Sequence, residues 1–466
     1  MLFCNILLAQ SPVEKQNRVV YNRIEYFFNT RQTDSIYELG NSNFKKSVAK
    51  GQFIDVIETF YAMGKISSAF PVTFSKGIAG YNLIIGKNKA SLELSVDSTF
   101  HFNYFLIKDQ EIIVNKTETV NQKVNKTNRF DEYVDEIAQS YIKKANTQSL
   151  AIGILNKGVM NTFFYGETSK GIKASLPSEN TIYEIGSITK LFTATLLADL
   201  VEKQIISLDD SITKFLPDSI ATNPYLQKIT FKQLANHTSG LTRLPANLEK
   251  APKYSSTNPY SNYTRKELFA FLKDYSSTRE PGDEYEYSNL GFGLLGELIA
   301  IISKKPYTLL IKEVITTPLQ LHNTLDKIPS TAKNLSIAKA YNEEGIEVPT
   351  WNFQAIAGAG VLKSTVADML RFAAYQFKMP ENELENALAQ TRLFTFYLPP
   401  NTDIGLGWHM NMVNGLTQYW HNGATGGSSS FFGIVPDKKS AVIVLSNSAH
   451  SVDDISSKIL EKMTEM

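Results

Sequence analysis

From Leu191 to Val201 the chain reads Leu-Phe-Thr-Ala-Thr-Leu-Leu-Ala-Asp-Leu-Val, apolar on nearly every face of the helix it would form. A helix without a polar face has to be enclosed by other elements, so the fold must be built around this segment. The turn that opens it is Ser187-Ile188-Thr189-Lys190. Residues three apart share a helix face, which would hang the Lys190 amine beside the Ser187 hydroxyl. A serine alcohol is a poor nucleophile until a base takes its proton. Lysine can be that base, or part of the relay to it, once burial and the positive end of the helix dipole lower its pKa.

The spacing alone is not specific. It recurs at Ser42/Lys45 and elsewhere, and Ser211-Ile212-Thr213-Lys214 repeats the tetrapeptide letter for letter. That copy lies between aspartates and Phe215-Leu216-Pro217, where proline cuts a helix short, so it is expected as a surface turn or helix cap. Two further segments set Ser187 apart. Tyr287-Ser288-Asn289 follows the turn signal Pro281-Gly282-Asp283 and opens a second apolar helix. A tyrosine beside Lys190 would act as a phenolate base near neutrality only if adjacent cations lowered its usual pKa of about 10. Asn289 would orient the lysine and a substrate amide. His421-Asn422-Gly423 reads as the end of a β-strand, followed by the loop Ala424-Thr425-Gly426-Gly427-Ser428 and two β-prone runs. Gly423 would let a substrate lie close to the strand edge. The amides of Ser187 and Ala424 would then form an oxyanion hole.

These segments resemble the class C β-lactamase and penicillin-binding-protein-like serine hydrolases. The resemblance covers roughly residues 130 to 447 and extends to other landmarks in the same order: Leu234 to Leu241 (containing His237-Thr238-Ser239-Gly240), Pro281-Gly282, Gly358-Ala359-Gly360-Val361 with Ser364-Thr365, and Gly405-Leu406-Gly407-Trp408. It implies an α/β sandwich of the β-lactamase/transpeptidase kind, with an antiparallel sheet and a helical insertion. It further implies Ser187 as nucleophile, Lys190 and Tyr287 as the groups that handle its proton, and Asn289, His421, Asn422, Gly423 and Ala424 as the substrate-binding set. The implied chemistry is hydrolysis of a peptide, amide or ester through an acyl-enzyme, as in D-amino-acid peptidases, esterases and β-lactamases. The alternative is a non-catalytic penicillin- or peptidoglycan-binding or sensing protein on the same scaffold.

Two departures bear on the substrate. Where β-lactamases of this family usually carry Lys-Thr-Gly, this chain has His421-Asn422-Gly423, which replaces a permanent cation by a titratable imidazole and weakens the expected grip on the carboxylate of penicillins. Histidine there resembles the peptidase, amidase and esterase branches, which ranks β-lactam hydrolysis below them. No acidic deacylation motif of the class A kind is present, in keeping with a tyrosine-type second motif.

Composition adds exclusions. With 466 residues, 43% hydrophobic, and a formal charge of +1, the chain is long enough for two domains and has no bulk basic character that would suggest nucleic acid. Its six histidines form no His-Glu-x-x-His or Cys/His cluster, and its one cysteine, Cys4, forms no internal disulfide, so neither a metal nor a cofactor is expected. The expected partner is a small-molecule or peptide substrate.

Residues 1–11 resemble the back half of a secretory signal, too short to span a membrane, which favours a periplasmic or secreted protein over a cytoplasmic one. Residues 12–112 read as an accessory domain, helical at first and then alternating from Ile66 to Ile107 with turns at Gly77, Gly80 and Gly86. This small α+β unit resembles cystatin-like or nuclear-transport-factor-like domains, and its aromatics Phe100, Phe102, Tyr104 and Phe105 are expected in the core and sheet. Residues 113–128 read as a polar linker, and 129–466 as the hydrolase domain.

Overall fold

The sequence pattern puts helices before strands in the first hundred residues, and the computed structural model, which describes residues 12–75, 77–86, 88–110, 122–171, 175–329 and 335–465, has that order. The chain divides into two compact units, Met1–Val114 and Asn115–Met466. In the smaller one, helices Pro12–Asn29, Thr33–Glu38, Ser42–Ser47 and Lys50–Tyr61 precede a four-stranded antiparallel meander, Ile66–Ser75, Ile78–Ile85, Asn88–Val96 and Phe102–Gln110. Gly80, expected in a turn, pairs with Glu93 within the sheet. Phe102 is fully buried and Phe105 lies against the core, but Phe100 and Tyr104 are on the surface. Tyr104 alternates with the inward Phe105, and the register shift that pairs Ser95 with Tyr104 but Val96 with Phe102 lets Phe102 also turn inward.

The larger unit is organised by a nine-stranded antiparallel sheet. Its order is Phe396–Leu398, Thr402–Ile404, His409–Val413, Leu416–Ala424, Ser429–Val435, Ser440–Ser446, Ser149–Asn156, Val159–Gly166 and Gln122–Val124. Central strands are apolar on both sides because both faces are covered. Phe432, Ile443 and Leu445 join the core around the helix Thr189–Glu202, whereas Phe431, Val442 and Val444 pack with the helices Arg129–Ile142 and Asp453–Thr464. The result is three layers: terminal helices, sheet, and a helical insertion in which Thr230 and Thr264 cap short helices through the capping boxes their sequences specify.

Gln122–Val124 corrects the linker boundary. These residues pair with Phe163–Tyr165, and Asn128 caps the helix that follows by accepting from Phe130 N and Asp131 N. A polar edge strand needs only its backbone to join a sheet, so its composition is indistinguishable from that of a linker. Residues 113–121 of the expected linker and the signal-like residues 1–11 lie outside the described residues.

Candidate active site

Burial of the helix Thr189–Glu202 is close to complete, with every residue from Thr189 to Leu200 buried. Ser187 sits just before it in the 3-10 turn Gly186–Ile188. Lys190, in the first helical turn, has no exposed surface. Its Nζ lies 3.1 Å from Ser187 Oγ, 2.8 Å from Asn289 Oδ1 and 2.8 Å from the Ala359 carbonyl. All three partners are neutral. The amine also stands 4.7 Å from the Tyr287 ring centroid.

Burial pushes the Lys190 pKa well below its ordinary value, and the positive charge of Arg243 pushes it further the same way. Tyr287 moves in the opposite sense. Desolvation raises its pKa above the usual value, against the opposing effects of an interaction with the Ser187 hydroxyl and of Arg243. The adjacent cations therefore do not make a resting phenolate. Both directions favour the uncharged forms, an amine and a phenol, the combination that leaves no net charge in a dry site.

Ser288 and Asn289 are placed by the start of the helix Asn289–Ser303. Ser288 Oγ accepts from Gly291 N and donates to the Thr242 carbonyl at 2.7 Å, while Ser288 N donates to His237 Nδ1 at 3.0 Å. That bond makes Nδ1 of His237 an acceptor and places the ring proton on Nε2. The His237 ring packs 4.4 Å from that of Tyr287, so its role is to hold the tyrosine motif in place. His409 accepts or donates at Tyr285 Oη, 3.0 Å from its Nε2, and burial lowers its pKa to about 4. Burial likewise holds His237 and His421 well below the ordinary imidazole range.

The third motif forms the end of strand Leu416–Ala424. The neighbouring strand stops at the pair His409/Trp420, so among the described residues the edge of His421–Ala424 on that side has no strand partner. Thr425 N donates to Ser428 O across the other edge. Alternation of the ladder then turns the Ala424 amide toward the unpaired edge. Ser430 Oγ donates to the Ile185 carbonyl at 3.0 Å and ties the segment leading to Ser187 onto this strand pair. Gly423 is required at that crossing: a Cβ there would fall 2.2 Å from Ile185 O and 3.0 Å from Ser187 N. The amides of Ser187 and Ala424 thus border one cleft.

Asn422 is a correction. Its side chain donates to Asp453 Oδ2 at 2.7 Å, on the far face of the sheet from His421 and Gly423. Strand geometry sends successive side chains to opposite faces, so a motif of three consecutive residues can bring only two to the site. The duplicate Ser211/Lys214 behaves as its context requires, Ser211 capping a 3-10 turn and Lys214 pairing with Asp210.

Sequence reasoning did not single out the Ala359 carbonyl, which completes the cradle of Lys190, nor Tyr260, whose hydroxyl lies 3.4 Å from Asn289 Nδ2. The glycines around Ala359 were a visible signal, but a carbonyl ligand leaves no side chain to recognise. Tyr260 stacks 4.8 Å from Phe353 and stands edge-on to Trp351, making an aromatic wall beside Asn289.

This packing predicts that Gly423→Ala displaces the segment carrying Ser187. Reaction of Ser187 with a fluorophosphonate is expected to slow by about 100-fold or more, the scale of a misplacement near 1 Å, while circular dichroism shows the fold retained. An unchanged rate would mean that the crossing has slack.

Residues 133–461 match the protein-family model described as Beta-lactamase. Over 332 residues the chain is 30% identical to the D-alanyl-D-alanine-carboxypeptidase/endopeptidase AmpH of Escherichia coli strain K12, covering 68% of this chain and 82% of that protein. It is 26% identical over 363 residues to a Beta-lactamase of Psychrobacter immobilis, covering 70% and 85%. The fold is similar to that of a Beta-Lactamase/D-Alanine Carboxypeptidase from Pseudomonas syringae, with TM-score 0.64 and 22% identity over 72% of this chain and 99% of that one. The family match spans most of the chain and includes Ser187, Lys190, Tyr287 and the His421 strand: this protein belongs to the beta-lactamase family.

Proposed function

We propose that the larger unit hydrolyses a peptide, amide or ester by acylating Ser187, with the uncharged Lys190 amine as base and the Tyr287 phenol as acid. A serine hydrolase is what family membership makes it; the roles of individual residues are our reading. The observation that carries them is the Lys190 amine, sealed from water, 3.1 Å from Ser187 Oγ and hydrogen-bonded, among the described residues, to neutral groups.

In this reading Ser187 Oγ attacks the acyl carbon and its proton passes to Lys190 Nζ. The oxyanion is held by the amides of Ser187 and Ala424, which are already in place before the reaction. Tyr287 gives its proton to the departing nitrogen or oxygen and is reprotonated by the Lys190 ammonium. Water then cleaves the acyl-enzyme by the same route in reverse. Asn289 accepts from Lys190 and so fixes the amine during the transfer. The acyl side of the substrate lies along the unpaired edge of His421–Ala424, as an added strand would, with Trp351 and Tyr260 forming its wall. The name of the Escherichia coli relative points to peptides ending in D-alanine as the substrate class. Such a substrate suits an exported enzyme, the location we favour; among the described residues no helix is long and apolar enough to cross a membrane.

Fluorophosphonate and fluorescent penicillin labelling of wild type and Ser187→Ala tests the reading. Both labels are expected on the wild type and neither on Ser187→Ala, and Lys190→Ala is expected to slow labelling by about 10²–10⁴-fold, the usual cost of losing a general base. Labelling that survives in Ser187→Ala would remove Ser187 from the mechanism. The pH profile follows from the directions of the shifts. The free amine is the active form, so kcat/KM rises with pH through the lowered pKa of Lys190 and then stays level. The raised phenol pKa removes any alkaline fall below about pH 10, and the buried neutral histidines add no step near about pH 6.5. A rise with its midpoint near about pH 10 would contradict a free amine at rest.

A further inference from the structure

The His421 strand offers a substrate no permanent positive charge, since His421 is buried with Nδ1 against the Asn422 carbonyl and is held neutral. Such a charge stands on the opposite wall. Arg243 is exposed, its guanidinium carbon 5.0 Å from the Tyr287 ring centroid. Among the described residues its side chain has no ion pair and no hydrogen bond, whereas nearby Arg279 is committed to Glu286 and the Gly240 carbonyl. The Arg243 backbone is held firmly. Its carbonyl accepts from Asn289 N at 3.0 Å and Leu290 N at 3.2 Å, and the preceding carbonyl of Thr242 accepts from Ser288 Oγ at 2.7 Å. The turn that delivers Tyr287 and Asn289 therefore also fixes Arg243.

A guanidinium placed over the ring of Tyr287 lies on the side toward which the leaving group departs, because Tyr287 is the group that protonates it. This step rests on the function proposed above. We propose that Arg243 is a specificity-determining residue that binds a carboxylate on the leaving group, so that the preferred substrates are acyl donors whose departing amine, alcohol or thiol carries a free carboxylate, as a C-terminal amino acid does. A guanidinium matches a carboxylate with two parallel hydrogen bonds and stays charged at any working pH. It thus takes over the task that the missing lysine of the third motif would perform, from the other side of the cleft.

The test uses the full chain and two acyl thioesters with the same acyl group, whose thiol leaving groups differ only in bearing a carboxylate or its methylamide. Thiol release gives kcat and KM for each. Wild type is expected to favour the carboxylate by about tenfold in kcat/KM, mainly through KM, Arg243→Gln to bring the ratio close to one, and Arg243→Lys to keep part of it. An equal loss toward both thioesters in Arg243→Gln would mean that the arginine only tunes Tyr287, and would overturn the inference, as would a wild type that turns over both equally. A wild type that hydrolyses neither would overturn the proposed hydrolysis and this inference with it.

Discussion

The site depends on an amine taken out of water without a counter-ion. Moving a charged ammonium into such a place costs several kcal/mol unless a carboxylate meets it, and the group neutralises instead. Lys190 meets a serine hydroxyl, an amide oxygen and a backbone carbonyl. The two carbonyl oxygens accept the two N–H bonds of a free amine and leave its lone pair for the Ser187 hydroxyl, and none of the three supplies the negative charge that would hold a proton on it. In the mechanism proposed above, packing rather than a charged relay partner is what would turn this lysine into a base.

The fold supplies that packing from far apart in the chain. The helix Thr189–Glu202 is apolar on all faces because sheet, insertion and loops enclose it. Its N-terminus is clamped to the sheet through Ser430 and the Gly423 crossing. Thr193 Oγ1 donates to the Gly358 carbonyl at 2.7 Å and so holds the loop that presents the Ala359 carbonyl. Glu184, buried between the walls, accepts from Trp351 N at 2.7 Å and Thr425 Oγ1 at 3.0 Å. Each wall of the cleft is tied to the segment carrying the nucleophile, which keeps the reacting groups in register.

The sequence made the large elements legible because their patterns are strong. The helix after Ser187, the β-prone composition of the last strands and the capping boxes at Thr230 and Thr264 need only local rules. It also separated the two Ser-Ile-Thr-Lys copies, since one precedes a buried helix and the other a proline. What it hid depends on which way a residue points. Asn422 was grouped with its neighbours because a motif is read as a string, whereas a strand presents alternate residues. The strand Gln122–Val124 was read as linker because its contribution is backbone pairing. The protonation state of Tyr287 turns on how dry its surroundings are, which only the assembled site fixes. Arg243 carried no motif at all.

The mechanism turns on the charge of one side chain, and the most direct measurement is the titration of Lys190 itself, by NMR of enzyme labelled with ¹³C at lysine Cε and assigned with Lys190→Arg. The expected resonance is already that of a free amine at neutral pH and changes only on acidification, far below the ordinary lysine value of about 10.4. A Lys190 signal that titrates with the surface lysines would show a resting ammonium, and the mechanism would then need another base.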